Sequence, residues 1–327
     1  MKITHGLLAI TVLFALTLSA SAQDLRIGII GLDTSHVTAF TKVINDTTAP
    51  NHVPGGKVVA AYRGGSDDIA SSYERLDKFT DQLKTEYGVE IVGTIEALCE
   101  RVDAVLLESV DGRPHLAQVK PVIAAGLPVF IDKPMAGSLA DVISIFELAE
   151  KNGVPCFSSS SYRYYDSMLA LKKKDVGEIR GAISFGPAHL EPTHPDLFWY
   201  AVHPVEALFT VLGTGCESVV RTHTENTDVV TGTWSGGRVG TLRGLRNQKT
   251  PHQVIVFGTN AVVHQQGGGD YANLIREIMN FFETKEVPIS PQETIEMFAF
   301  MEAADESKRR GGVPISIAET IERARAR

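Results

Sequence analysis

Residues 25–31 read Leu-Arg-Ile-Gly-Ile-Ile-Gly, an apolar run that ends in a glycine and indicates the class of fold. Such a run predicts a buried strand that enters a tight turn. Four further apolar runs are also predicted strands: residues 58–62, 104–107, 129–131 and 154–157. Amphipathic segments at 116–125 and 139–151 lie between them. Strands that alternate with helices predict an α/β fold with a doubly wound parallel sheet.

A different pattern begins near residue 158. Five predicted strands follow in near succession: residues 179–185, 218–224, 228–234, 238–245 and 253–257. Helices are predicted at 200–212, 274–284 and 292–309. Strands in a run predict an α+β domain with an open, mainly antiparallel sheet. We therefore divide the chain into domains 23–157 and 158–327, and expect the free face of the second sheet to form a homo-oligomer.

The charge balance argues against a nucleic-acid partner. The chain has 327 residues, with 31 Lys and Arg against 39 Asp and Glu, a net charge of −8. Phosphate binding needs clustered Lys and Arg, and the sequence has no basic run. The three cysteines, Cys99, Cys156 and Cys216, form no metal-spaced pair, which excludes a disulfide framework and a zinc module.

The first 22 residues predict a secretory signal. Lys2 precedes an apolar run at 7–18, and Ala20 and Ala22 provide small residues at positions −3 and −1 of a cleavage site. This run is short for a transmembrane helix, although an uncleaved anchor helix is the alternative. We expect export to the periplasm and no membrane contact after cleavage.

The turn after the first strand is a candidate cofactor site. A strand that ends at Gly31 and a helix that begins at Thr34 or Ser35 would hold a dinucleotide pyrophosphate against free N–H groups. The GxGxxG fingerprint requires glycines where Asp33 and His36 stand, and Asp33 adds a negative charge. Two interpretations stay open: these five residues contact a dinucleotide, or Asp33 and Thr34 only cap the helix.

The end of the second strand bears on the choice of dinucleotide. Arg63 and Ser66 follow Tyr62, and the acidic residue that binds a ribose 2′-hydroxyl in NAD sites is absent there. Arg63 and Ser66 would suit a 2′-phosphate, which favours NADP over NAD. The alternative is that Arg63 is a solvated loop residue.

A block in the middle of the chain is more specific. His115 is followed eleven residues later by Gly126 and then by Asp-Lys-Pro at 132–134, after a predicted strand. This spacing resembles the Gfo/Idh/MocA family, the glucose–fructose oxidoreductase and inositol dehydrogenase group. Tyr-Arg-Tyr at 162–164 and the turn at 256–261 extend the resemblance over essentially the whole mature chain. It implies a Rossmann-like first domain, an NAD(P) cofactor and a carbohydrate substrate.

The resemblance also implies roles for individual residues of the first domain. Lys133 matches the family's central lysine, which contacts the nicotinamide side and the reacting oxygen of the sugar. A lysine at a strand end can also stabilise a developing alkoxide or donate a proton. Asp132 stands in place of the usual glutamate, and His115 matches a histidine near the nicotinamide. A surface lysine and a helix-capping histidine are the structural alternatives.

The second domain contributes the other implied catalytic residue. His203 matches the histidine that acts as acid or base on the substrate hydroxyl, but Trp199 stands where the family has an aspartate. We expect Trp199 and Tyr200 to stack on a sugar face, or Trp199 to lie in the core. Glu206, one helical turn beyond His203, and Arg163 are the other predicted substrate-binding residues.

We predict no metal site. His189, Glu191 and His194 are possible ligands, but Pro192 and Pro195 prevent a helix from placing them on one face.

Taken together, the sequence favours an exported NAD(P)-dependent oxidoreductase that acts on a sugar or sugar derivative. Two alternatives remain: a lyase, glycosidase or epimerase that acts on keto-sugars with little use of a dinucleotide, and a non-catalytic sugar-binding protein.

Overall fold

The computed structural model describes residues 24–246 and 249–327. The predicted secretory signal at residues 1–22 lies outside the described residues. Within these ranges, no helix combines the length and the apolar character that a membrane span requires.

The first domain is a six-stranded parallel sheet covered by helices. Its strands are β1 (Leu25–Ile30), β2 (Gly56–Tyr62), β3 (Glu90–Val92), β4 (Ala104–Leu107), β5 (Val129–Ile131) and β6 (Cys156–Ser158). Its helices are α1 (Ser35–Asn45), α2 (Ala70–Tyr87), α3 (Ile95–Cys99), α4 (His115–Ala124) and α5 (Leu139–Asn152). The strand order β3-β2-β1-β4-β5-β6 confirms the doubly wound prediction. The order reverses between β1 and β4, where ligands bind in such sheets.

The second domain is built on a seven-stranded sheet. Its strands are β7 (Ile179–Pro187), β8 (Cys216–Thr224), β9 (Thr227–Trp234), β10 (Arg238–Leu245), β11 (Gln253–Gly258), β12 (Val262–His264) and β13 (Ile315–Ser316). They lie in the order β12-β11-β7-β10-β9-β8-β13. The β7–β10 pair is parallel and the other pairs are antiparallel, which confirms the mainly antiparallel prediction.

The helices of this half pack on both domains. They are α6 (Asp166–Lys172), α7 (Val202–Leu212), α8 (Ala272–Thr284), α9 (Pro291–Arg309) and α10 (Ile317–Arg325). α7 packs on β7, while α9 packs both on β8 and on α5 of the first domain. The buried Trp234 anchors the end of α7, because its Nε1 donates a hydrogen bond to the carbonyl of Gly213 at 2.9 Å.

α8 returns from the second half of the chain to the first sheet. Ile275, Ile278 and Phe281 are fully buried in a cluster that also contains residues of β1, β5 and β6. The rings of Phe157 and Phe281 meet edge to face, with centroids 4.9 Å apart. The apolar core therefore continues across the predicted domain boundary at residues 157 and 158.

Candidate active site

A cavity of about 280 Å³ lies where the two domains meet. The first domain contributes Thr34, Ser35, His36 and Lys133, among others, to its lining. The second domain contributes Tyr162, Tyr165, Trp199, Tyr200, His203 and Tyr271. The lining residues of the first domain follow the carboxyl ends of β1 and β5. The cavity therefore occupies the crevice expected for a ligand of a doubly wound sheet.

Lys133 and His203, the two predicted catalytic residues, line this cavity together. Lys133 directly follows Asp132 beyond the end of β5, and its bond to Pro134 is cis. Its Nζ lies 5.9 Å from the ring centroid of Tyr200, within the range of a cation–π contact. The structure thus brings a cationic group and an imidazole from different domains to one space.

His203 is held in a defined orientation. It lies in the first turn of α7, and its Nδ1 is 2.7 Å from the Oγ of Ser160. Burial, followed by the positive charge of Lys133, lowers the pKa of His203 well below its ordinary value. A neutral imidazole at neutral pH can accept a proton, which is the chemistry required of a general base.

A buried ion pair supports this histidine. The carboxylate of Glu206 accepts hydrogen bonds from the backbone N–H of Ser160 at 2.6 Å and from the Oγ of Ser159 at 2.5 Å. It also accepts one from the Nε of Arg163 at 2.8 Å. Neither Glu206 nor Arg163 lines the cavity, and their predicted contact with substrate stays a prediction. They position Ser160, which in turn contacts His203.

Aromatic side chains form much of the cavity wall. Trp199 and Tyr200 are half-buried and line it, so the alternative that Trp199 lies in the core is wrong. Tyr162, Tyr165 and Tyr271 line it as well, and the sequence analysis missed them. Burial raises the pKa of Tyr271 to about 12, so its hydroxyl stays protonated and able to donate a hydrogen bond.

The first turn has the backbone of a dinucleotide site. Gly31 has φ = 86°, and a Cβ there would come within 2.5 Å of the Cα of Ser109, so glycine is required. Asp33 is fully buried and accepts hydrogen bonds from the Oγ of Ser72 at 2.6 Å and the N–H of Val110 at 3.0 Å. Its carboxylate therefore joins α2 and the loop after β4. It does not line the cavity, and its predicted contact with the cofactor stays a prediction.

The next three residues face the ligand space. Thr34 caps α1, because its Oγ1 accepts a hydrogen bond from the N–H of His36 at 3.4 Å. Thr34, Ser35 and His36 all line the cavity, so the N-terminal end of α1 opens onto it. Unpaired N–H groups and the helix dipole at such an end attract anions. The turn therefore fits the pyrophosphate of a dinucleotide.

A family model assigns this domain. The model described as "Oxidoreductase family, NAD-binding Rossmann fold" matches residues 25–160. Residues 25–160, which cover the first domain, match the Gfo/Idh/MocA family. The resemblance stated from the sequence is confirmed, and the first domain is an NAD-binding Rossmann domain, which confirms the predicted class of cofactor.

Curated relatives match over a limited stretch. Inositol 2-dehydrogenase 3 of Saccharopolyspora erythraea is 26% identical over 198 residues, which are 57% of this chain and 53% of that protein. Inositol 2-dehydrogenase of Cereibacter sphaeroides is 29% identical over 180 residues, 54% of this chain and 48% of the other. The matches span about half the length of each relative.

Solved structures share the fold over nearly the whole chain. The apo scyllo-inositol dehydrogenase of Lactobacillus casei has a TM-score of 0.73 at 15% identity, with 91% of this chain and 99% of the other covered. GenD2 from gentamicin A biosynthesis, solved in complex with NAD, has a TM-score of 0.70 at 16% identity, with 95% and 99% covered. At these identities the likeness establishes the two-domain fold.

Two further positions assigned to the cofactor, His115 and Arg63, also lie outside the cavity lining. His115 is fully buried, with its ring nitrogens 3.0 Å from the carbonyl of Met135 and 2.9 Å from that of Ser109. It holds the backbone behind the cavity, and its predicted contact with nicotinamide stays a prediction. Arg63 pairs with Asp77 of α2, so its guanidinium already has an anionic partner.

The structure also gives defined neighbours to Asp132 and to two of the histidines considered as metal ligands. Asp132 is buried, and its Oδ2 lies 2.6 Å from the Nδ1 of His36. Burial by itself would raise the pKa of Asp132, but the neighbouring His36 and Lys133 bring it below its ordinary value. Of the weighed metal ligands, His189 packs against the ring of Tyr200, and the Nε2 of His194 lies 3.2 Å from Asp111.

Proposed function

We propose that this protein is an oxidoreductase that oxidises or reduces one hydroxyl-bearing carbon of a sugar or cyclic polyol. One observation carries the proposal: Lys133 of the first domain and His203 of the second line a single cavity at the switch point of the sheet. The inositol dehydrogenases among the relatives support the substrate class.

The two residues have complementary roles. The neutral imidazole of His203 accepts the hydroxyl proton, and the ammonium of Lys133 stabilises the negative charge that develops on the oxygen. The rings of Trp199 and Tyr200 pack against the C–H face of the substrate and exclude water. Thr34 and Ser35 would hold the pyrophosphate of a dinucleotide, which would supply the hydride acceptor. Arg63 is held by Asp77, so we propose NAD rather than the NADP that the sequence favoured.

The location and the assembly are also proposals. Residues 1–22 support export to the periplasm. The exposed side chains of Val239 on β10 and Val262 on β12 support a homo-oligomer formed through the second sheet.

A second candidate function is elimination or epimerisation on a keto-sugar. The cavity volume of about 280 Å³ favours it, because this is near the lower limit for small-molecule sites and suits a single sugar ring. Both functions require Lys133 and His203, so substrate tests must distinguish them.

The test compares two lysine variants in native protein. We expect Lys133→Met to lower turnover about 10²- to 10⁴-fold, whereas Lys120→Met, at an exposed site on α4, leaves it unchanged. Mass spectrometry of the natively purified protein should show released NAD, and inositols and hexoses should be oxidised.

Cleavage of 3-keto-glycosides without a dinucleotide would replace the redox proposal by the second candidate. Sugar binding without turnover in wild type and Lys133→Met would leave the non-catalytic interpretation.

A further inference from the structure

We propose that His36, Glu108 and Asp132 bind a divalent transition-metal ion. The three residues come from separate segments: the first turn of α1, the position after β4 and the position after β5. One nitrogen of His36 and one oxygen of each carboxylate lie within 4.8 Å of one another. Ligand atoms around one cation, with bonds of about 2.0 to 2.5 Å, cannot lie much farther apart than this.

The carboxylates lack the partners that a structural role requires. Glu108 is fully buried, and within the described ranges neither of its oxygens has a hydrogen-bond partner. The Oδ1 of Asp132 has none either, while its Oδ2 is close to His36. Burial of an ionised carboxylate without a partner is strongly unfavourable. Two buried carboxylates, with three oxygens that lack hydrogen-bond partners among the described residues, therefore lie beside one imidazole, and a cation would satisfy them.

The charges agree with this. With both carboxylates ionised, one imidazole offsets at most one negative charge, and the nearby cation, Lys133, acts on both carboxylates from outside the cluster. A divalent ion would neutralise both carboxylates and release any proton that they share with the imidazole.

The donor set indicates the kind of ion. One imidazole nitrogen with two carboxylate oxygens suits a cation of intermediate hardness, such as Mn²⁺ or Zn²⁺. Ca²⁺ takes six to eight oxygens as a general rule, more than this cluster offers. Three protein ligands leave at least one coordination position for water or for an oxygen of a ligand.

The position of the cluster connects it to the cavity. His36 lines the cavity, and Asp132 directly precedes Lys133, another lining residue. The ion would lie in the wall between the N-terminal end of α1 and Lys133. There it would offset the carboxylates beside a site that fits an anionic pyrophosphate, and it could accept a substrate oxygen as an additional ligand.

Direct metal measurements test the site independently of any activity. Full-length protein is treated with a chelator, dialysed and titrated with Mn²⁺ or with Zn²⁺, and bound metal is counted by elemental analysis. We expect one ion per chain and a higher melting temperature in the loaded protein. Glu108→Gln and Asp132→Asn should each weaken binding at least about tenfold.

Glu296→Gln is the matched control. Glu296 is also a buried glutamate, but its Oε1 accepts hydrogen bonds from the N–H groups of Gly215 and Cys216 at 2.7 and 2.6 Å. This variant should still bind one ion per chain. Circular dichroism in chelator establishes that each variant is folded before its affinity is compared.

Two outcomes would overturn the proposal. Wild type that takes up no stoichiometric ion would mean that Glu108 is simply protonated. Wild-type affinity in both Glu108→Gln and Asp132→Asn would mean that the ion binds elsewhere. Neither outcome depends on the oxidoreductase proposal, because metal content is measured without substrate.

Discussion

Two of the buried groups of charged side chains in the described part of the chain are organised differently. In the second sheet, three cations meet three carboxylates: Arg221, Arg246 and Lys308 with Asp196, Asp228 and Asp305. Arg221 is itself fully buried, and its Nε donates to the Oδ1 of Asp228 at 2.8 Å. At the carboxyl ends of the first sheet, His36, Glu108 and Asp132 offer two carboxylates and one imidazole.

The difference separates a structural role from a functional one. Charges that are matched by fixed partners hold β8, β9 and α9 together and leave no capacity for a ligand. Carboxylate oxygens without partners destabilise a fold unless a ligand or a proton satisfies them, and this is the basis of the proposed cation site. Substitutions in each of the two charged groups can test this comparison.

The largest effect is expected in the matched cluster. Arg221→Met leaves Asp305 without its arginine partner in a buried position, and we expect a loss of about 3 to 5 kcal/mol in the free energy of unfolding. Urea denaturation measures it. Arg180→Met, which removes an exposed pair with Glu178, should cost less than about 1 kcal/mol. Equal losses in the two variants would contradict the assignment of a structural cluster.

Folding stability should respond to acid through His252, which packs against the cavity-lining Tyr162. Burial lowers the pKa of His252 to about 4, and the charge of Lys133 adds to this. The unfolded chain, with an ordinary histidine, binds the proton first, so stability is full above about pH 6.5 and is lost as the pH falls towards 4. The loss is on the order of 3 kcal/mol. His252→Phe, which keeps an aromatic ring against Tyr162, should reduce this pH dependence in urea titrations. An unchanged pH profile would contradict the assignment.

In the cluster of His36, Glu108 and Asp132, removing a carboxylate should not lower the free energy of unfolding, in contrast to Arg221→Met. In chelator, Glu108→Gln removes a buried acid that has no partner, so we expect stability to be unchanged or raised by about 1 kcal/mol. The same urea titration measures it. A loss comparable to that of Arg221→Met would mean that Glu108 has a structural partner.

The smallest effect is expected at the exposed pair of Arg63 and Asp77. Arg63→Ala should cost less than about 1 kcal/mol. It should also leave the ratio of NADP to NAD affinity unchanged, because the guanidinium is held by α2. Calorimetric titration with both dinucleotides checks this. A selective loss of NADP affinity would mean that Arg63 binds the 2′-phosphate.

Most of the fold was predictable because its elements have strong local signals. The runs at 104–107 and 129–131 coincide with β4 and β5, since a buried parallel strand is uniformly apolar. Short strands such as β3 and β13 were missed because they contain only three and two residues. The parallel pairing of β7 with β10 could not be predicted from the sequence either, because strand direction depends on a long-range connection.

Residues of the candidate site were predictable only where they belong to a recognisable sequence motif. Lys133 and His203 were found because the spacing around Asp-Lys-Pro and the histidine resembles a family pattern. Ser160 and Glu206 were not assigned their supporting role, because hydrogen bonds between distant residues leave no spacing signal. Glu108 offered one overlooked signal: an acidic residue directly after the wholly apolar β4. Its partners stand at 36 and 132, and only the sheet brings them together.

The return of α8 to the first sheet bears on how the chain folds. A fragment that ended at residue 157 would expose the surface that Ile275, Ile278 and Phe281 cover. Such a fragment would lack part of its own core until the ribosome had added more than a hundred further residues. We therefore expect the two sequence-defined halves to unfold in one cooperative transition, with chaperone demand concentrated early in synthesis.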